Sequence, residues 1–114
     1  MVILNRLMPT LCLLLVLMAA GIAHADTSPA APTIQIEEYK YVPDTLTIPA
    51  GTKVTWVNKD QVPHTIVASD KTFRSAALDT DENYSNTFTK PGTYQYFCTL
   101  HPEMVGTIVV TDEK

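Results

Sequence analysis

Residues 98–104 read Cys-Thr-Leu-His-Pro-Glu-Met, and any fold for this chain has to accommodate that run first. Cys98, His101 and Met104 offer a thiolate, an imidazole and a thioether, with two residues separating each from the next. The run sits between two segments that read as β-strands, 93–97 and 106–110. Thiolate and thioether donors combined with imidazole select copper, and two His plus Cys with a weak Met is the blue-copper set. The run itself holds one histidine. The second is His64, 34 residues before Cys98, in the segment Val62-Pro63-His64-Thr65-Ile66. Positions so far apart meet only where a framework folds them together, and a β-sandwich can bring two strand ends to one pole. Pro63 and Pro102 each fix their own φ and lack an amide hydrogen, which stiffens the chain beside both histidines.

The first 25 residues stand apart. Arg6 supplies a positive start, residues 11–20 form an apolar run, and Ala23-His24-Ala25 fits an A-x-A cleavage site. The segment therefore reads as a secretory signal peptide cut after Ala25, and export to the periplasm is the expectation. Its apolar core is short for a spanning helix, which takes roughly 20 residues. Cys12 lies at the start of that core rather than after it, which argues against a lipid-anchored N-terminus. Of 114 residues 89 remain, enough for one small domain. Loss of Arg6 lowers Lys and Arg from 8 to 7 against 12 Asp and Glu, a net charge of −5. Nucleic-acid and anionic-membrane binders carry the opposite balance. Cys12, His24, Met1, Met8 and Met18 leave with the leader, so the mature domain keeps one Cys, two His and one Met. A single cysteine makes no internal disulfide, and a metal is another staple for so small a domain.

Residues 26–32, small, polar and proline-rich, read as a flexible lead-in, and 33–114 as the domain. Alternation predicts strands at 33–39, with Ile34 and Ile36 on one face, and at 45–48, with Leu46 and Ile48 on one face. Val54 and Trp56 share one side of a central strand at 52–57, Trp56 in the core. Further strands are predicted at 64–68, starting at the histidine, and at 84–88, 93–97 and 106–110. Pro43-Asp44, Pro49-Ala50-Gly51 and Thr89-Lys90-Pro91-Gly92 mark turns between them. A short helix is predicted at 73–78, inside an irregular acidic stretch. Seven to eight short strands at this spacing predict an all-β sandwich or barrel with antiparallel, Greek-key connections.

Blander readings of the same side chains are individually sound. A lone His beside apolar residues is usually an ordinary one, a lone Cys at a strand end a small buried hydrophobe, and a lone Met core filling. Together, Cys98, His101, Met104 and His64 use every soft or imidazole donor of the mature domain and leave none over. Zinc could take two His and one Cys with an open position, but Met104 would then have no role. A nucleophilic Cys98–His101 pair lacks an orienting partner. A domain of an oxidase or nitrite reductase with several coppers would need further histidines, which the mature chain does not have.

Four stretches then point to a family: Trp56-Val57-Asn58, Val62-Pro63-His64, the run from Phe88 through Lys90-Pro91-Gly92 to Cys98, and Thr99 to Met104. With them the chain resembles the cupredoxins, the type 1 blue copper proteins. The likeness is greatest to the amicyanin group, with pseudoazurin and plastocyanin further off. It spans roughly residues 33–110. The two-residue gaps on both sides of His101 match the short ligand loop of the amicyanin group; azurin and plastocyanin loops are longer in one or both gaps.

The resemblance implies one copper ion, with His64, Cys98 and His101 in a plane, Met104 as the weak axial ligand and the Pro63 carbonyl on the far side. Cupredoxins commonly carry Asn after the first histidine; this chain has Thr65, which must reach Thr99 through a shorter hydroxyl. The resemblance also implies single-electron shuttling, not catalysis, between transient partners such as a dehydrogenase or a c-type cytochrome. His101 would be the electron port of a monomer, docking through an apolar patch of Leu100, Pro102, Val62 and Pro63. The alternative is a periplasmic copper carrier or storage protein. Such a protein would release its metal and could lack the intense thiolate-to-Cu(II) band.

Overall fold

Alternating apolar residues build the framework, and the computed structural model, which describes residues 31–112, shows how. Eight strands follow in order: β1 (Thr33–Glu37), β2 (Lys40–Val42), β3 (Thr45–Pro49), β4 (Thr52–Asn58), β5 (Val67–Ala68), β6 (Asn83–Phe88), β7 (Gly92–Phe97) and β8 (Val105–Thr111). They form two four-stranded sheets, ordered β2-β1-β4-β6 and β3-β8-β7-β5. The predicted all-β sandwich is what the chain adopts. The signal peptide, its cleavage site and most of the lead-in lie outside the described residues.

The pairing is mixed rather than antiparallel throughout. β1 runs parallel to β4, and β3 runs parallel to β8. The chain leaves the first sheet after β2, lays down β3 in the second, and returns for β4. β4 therefore meets β1 after an excursion rather than a hairpin, and parallel neighbours require such a crossover. The other contacts are antiparallel: β1 with β2, β4 with β6, β5 with β7, and β7 with β8.

Ile34 and Ile36 of β1, Val54 and Trp56 of β4, Tyr96 of β7, and Ile108 and Val110 of β8 point into the core. Trp56 is fully buried and is ringed by Phe73, Tyr84, Phe88 and Tyr96, with centroids 5.4 to 6.3 Å away. Truncating an aromatic side chain so placed costs about 3–5 kcal/mol.

Three predicted elements change. The strand expected over 33–39 ends at Glu37, because Glu38 and Tyr39 both take left-handed backbone, φ 51° and 59°. They make a two-residue hairpin turn into β2, with Glu37 opposite Lys40. Such turns need positive φ at both central residues and favour Asn-Gly; for other L-residues that conformation costs on the order of 1 kcal/mol each. The helix expected at 73–78 is absent. That segment lies antiparallel beside 64–68, with bridges His64–Leu78 and Val67–Arg74. Its backbone bonds to the neighbouring segment: Ser75 N donates to Ile66 O and Leu78 N to His64 O, both at 2.8 Å. Regular pairing of the 64–68 segment is correspondingly confined to β5.

Candidate metal centre

His64 enters the site on chain that is held from both sides. Its amide donates to Leu78 O at 3.1 Å and its carbonyl accepts from Leu78 N. The preceding loop is organised by Asn58, fully buried, whose side-chain amide donates to Val62 O and Leu78 O at 2.9 and 2.8 Å. The Asn58 side-chain oxygen accepts from Asp60 N, which turns the Asp60 carboxylate toward the histidine. His64 Nε2 lies 2.8 Å from Asp60 Oδ2. An ionised carboxylate only accepts, so Nε2 carries the proton and Nδ1 is left with a free lone pair. That Nδ1 faces the sulfur of Cys98, 3.8 Å away.

Cys98 follows β7 directly, and the loop after it closes on its own backbone. Cys98 N donates to Met104 O at 3.1 Å, and Met104 N donates to His101 O at 2.8 Å. This turn brings His101 Nδ1 to 3.7 Å from the same sulfur. The donor atoms of His64, Cys98 and His101 all lie within 4.8 Å of one another. His64 and Cys98 are fully buried, Met104 is nearly so within the core, and His101 is half-buried. The set holds a thiol, two imidazole nitrogens with their Nδ1 atoms inward, and a buried thioether close by in the loop, with no carboxylate among the converging atoms. Soft donors and imidazoles in that proportion fit a single type 1 copper ion.

The sulfur has its own surroundings. Thr65 N donates to Cys98 Sγ at 3.4 Å, and the Thr65 hydroxyl lies 3.8 Å from it. That hydroxyl also accepts from Thr99 N at 2.8 Å and meets the Thr99 hydroxyl at 2.9 Å. The short side chain at position 65 thus does tie the His64 segment to the loop after the cysteine. Tyr41 closes the same corner, its buried hydroxyl donating to Thr65 O at 2.6 Å. Burial, reinforced by the neighbouring Cys98 and Tyr96, holds the Tyr41 phenol far above its ordinary range.

Asp60 was not signalled by the sequence as part of the centre. Its carboxylate accepts from Glu38 N at 2.7 Å and Tyr39 N at 2.9 Å as well as from His64. Partial burial would raise its pKa, but the Tyr39 amide, the His64 ring and the Glu38 amide together hold it below the ordinary value. Tyr39 stands edge-on to both imidazoles, 5.4 Å from the His64 ring and 4.9 Å from that of His101. A carboxylate four residues before a suspected ligand was the available clue for Asp60. For Tyr39 there was none.

Of the expected apolar patch, Leu100, Pro102 and Pro63 are exposed and Val62 is half-buried. The family model for the cupredoxin-like domain matches residues 10–110. The chain belongs to the cupredoxin-like family. This cupredoxin is 37% identical over 94 residues to amicyanin of Paracoccus versutus, an alignment covering 78% of this chain and 71% of that one. Plastocyanin of Scenedesmus fuscus is 40% identical over a shorter 83 residues, 61% of this chain and 85% of the relative. Among solved structures, a purple cupredoxin from Nitrosopumilus maritimus superposes with a TM-score of 0.68 at 36% identity, covering 70% of this chain and 99% of the other.

Proposed function

We propose that this cupredoxin is an exported, periplasmic carrier of single electrons whose copper ligands are His64, Cys98, His101 and Met104. The observation that carries the reading is the convergence of two imidazole Nδ1 atoms on the Cys98 sulfur at 3.8 and 3.7 Å. Bound copper supplies a one-electron Cu(I)/Cu(II) couple. The chain supplies a site already arranged for it. Asp60 and the Leu78 backbone hold His64 in one orientation and one tautomer. The Thr65 amide aims at the sulfur and stabilises negative charge there. Closure of the 98–104 backbone keeps the remaining donors on one short turn. Because these groups are fixed by the fold, little rearrangement accompanies a change of charge.

Four protein donors leave no position for a substrate, unlike the open site of a catalytic metal; the reading is therefore a carrier and not an enzyme. His101, half-buried beside exposed Leu100 and Pro102, is the point where an electron reaches the surface. A small apolar patch of this kind suits brief encounters between monomeric partners, such as a dehydrogenase or a c-type cytochrome. The leader at residues 1–25 supports export.

Addition of Cu(II) to the purified mature domain tests this. An intense visible thiolate-to-copper band is expected, and Cys98→Ser should abolish it. A colourless adduct of the parent, or a blue Cys98→Ser protein, would sink the proposed site.

A further inference from the structure

The two histidines of the centre are held very unequally. His64 is fully buried, bonded through Nε2 to Asp60 and paired along its backbone with Leu78. His101 is half-buried, and among the described residues its ring nitrogens meet one polar partner, the Cys98 sulfur 3.7 Å from Nδ1. Its orientation therefore depends on packing. Two rings provide it: His64 at 4.9 Å, and Tyr39 at 4.9 Å with an interplanar angle of 88°.

The position of Tyr39 is unusual for a ring that serves only as a surface residue. It is half-exposed, at 50%, so burial of its own area does not explain it. It occupies left-handed backbone, preceded by a second left-handed residue, where glycine would be free of strain. Strained backbone of this kind persists only where surrounding structure fixes it, and is a reason to look for a role. Here the fixing group is Asp60, whose two oxygens accept from the Glu38 and Tyr39 amides. The same carboxylate binds His64. One anion thus registers the turn against the buried histidine, and the Tyr39 ring extends that registration to the exposed one.

We propose that Tyr39 is a positioning residue of the metal centre: its ring, perpendicular to the imidazole, holds His101 in the orientation that aims Nδ1 at the Cys98 sulfur. The proposal rests on the copper-site reading above. Without the ring, His101 keeps its place in the loop but gains freedom about its side-chain bonds, so the ligand that faces solvent becomes the first to leave. Tyr39→Phe keeps the edge contact. Tyr39→Gly deletes the ring while suiting the left-handed turn and leaving both amide bonds to Asp60.

Carbon-13 relaxation of the histidine rings in the metal-free protein, and the rate at which a competing chelator removes Cu(I), test the proposal together. Tyr39→Gly should lower the order of the His101 ring and leave His64 unchanged. It should also speed copper loss about tenfold, the scale on which groups that orient metal ligands act. Tyr39→Phe should match the parent in both. An equally ordered His101 and unaltered copper loss in Tyr39→Gly would overturn the proposal, as would a Tyr39→Phe protein that behaves like Tyr39→Gly. Loss of the fold in Tyr39→Gly would overturn it too, by making the residue structural. A parent that takes up no copper would count against the metal centre, and the metal-free ring measurement would still decide the role of Tyr39.

Discussion

Asp60 gathers three donors from two parts of the chain onto one carboxylate. Its replacement by Asn substitutes an amide group for one accepting oxygen, so at least one of the three donors loses its partner. Hydrogen bonds to charged groups contribute about 1.5–3 kcal/mol each. Asp60→Asn should therefore lower the unfolding free energy by about 2 kcal/mol in urea titration, and weaken copper binding by about 10- to 100-fold. Thr65 is the second such point. In Thr65→Val the Thr99 amide loses its acceptor, and the expected loss is about 1 kcal/mol. The reduction potential, measured by voltammetry, should move as well, because the sulfur loses a nearby hydroxyl. The four candidate donors stand out in the sequence because Cys, His and Met are rare in residues 26–114 and three of them are regularly spaced. Tyr39 does not stand out, and Asp60 offered only its spacing of four from His64, since the turn they share forms only when residues 21 and 22 apart in sequence meet.

Between β7 and β8 the packing is tight enough to fix a residue by size. A Cβ added at Gly106 would enter the ring of Tyr96, which is buried and cannot swing away. Gly106→Ala should cost about 1–3 kcal/mol, the usual range for overpacking, read as a lower denaturation midpoint with an unchanged slope. Strands β1 and β4 were legible because Ile34 and Ile36, and Val54 and Trp56, alternate with polar residues; β8 was legible by its β-branched run Ile108-Val109-Val110. β2 was hidden by its turn: Glu-Tyr carries no composition signal for positive φ, and Asp60 supplies the stabilisation from elsewhere. The 73–78 segment misled for a related reason. Its Ala76-Ala77-Leu78 end is made of good helix formers, but burial of Phe73, Ser75 and Leu78 follows from pairing with the His64 segment, which decides the outcome.

Across the whole domain, buried and half-buried phenols set the behaviour at high pH. Burial raises the pKa of Tyr41 and of Tyr84 above the ordinary value of 10.0. Above about pH 10 the unfolded chain releases these protons while the folded one retains them. Fewer protons on the unfolded state mean that stability falls with rising pH. Unfolding free energy should thus hold up to about pH 10 and decline beyond it; a flat profile to pH 12 would contradict this. Removing copper should lower the thermal midpoint, since a ligand at a thousand times its Kd stabilises by about 4 kcal/mol. A sandwich was predictable at this scale, but not its two parallel pairs, because alternation along a strand does not name its neighbour. The order of the sheets has another consequence. Their four margins are β2, with three residues, β5, with two, β3, which ends in Pro49, and β6, whose centre is Ser85-Asn86-Thr87. Short, proline-ended or polar margins give another chain little to pair with. A second copy of the domain would therefore find, among the described residues, no long apolar edge on which to extend either sheet.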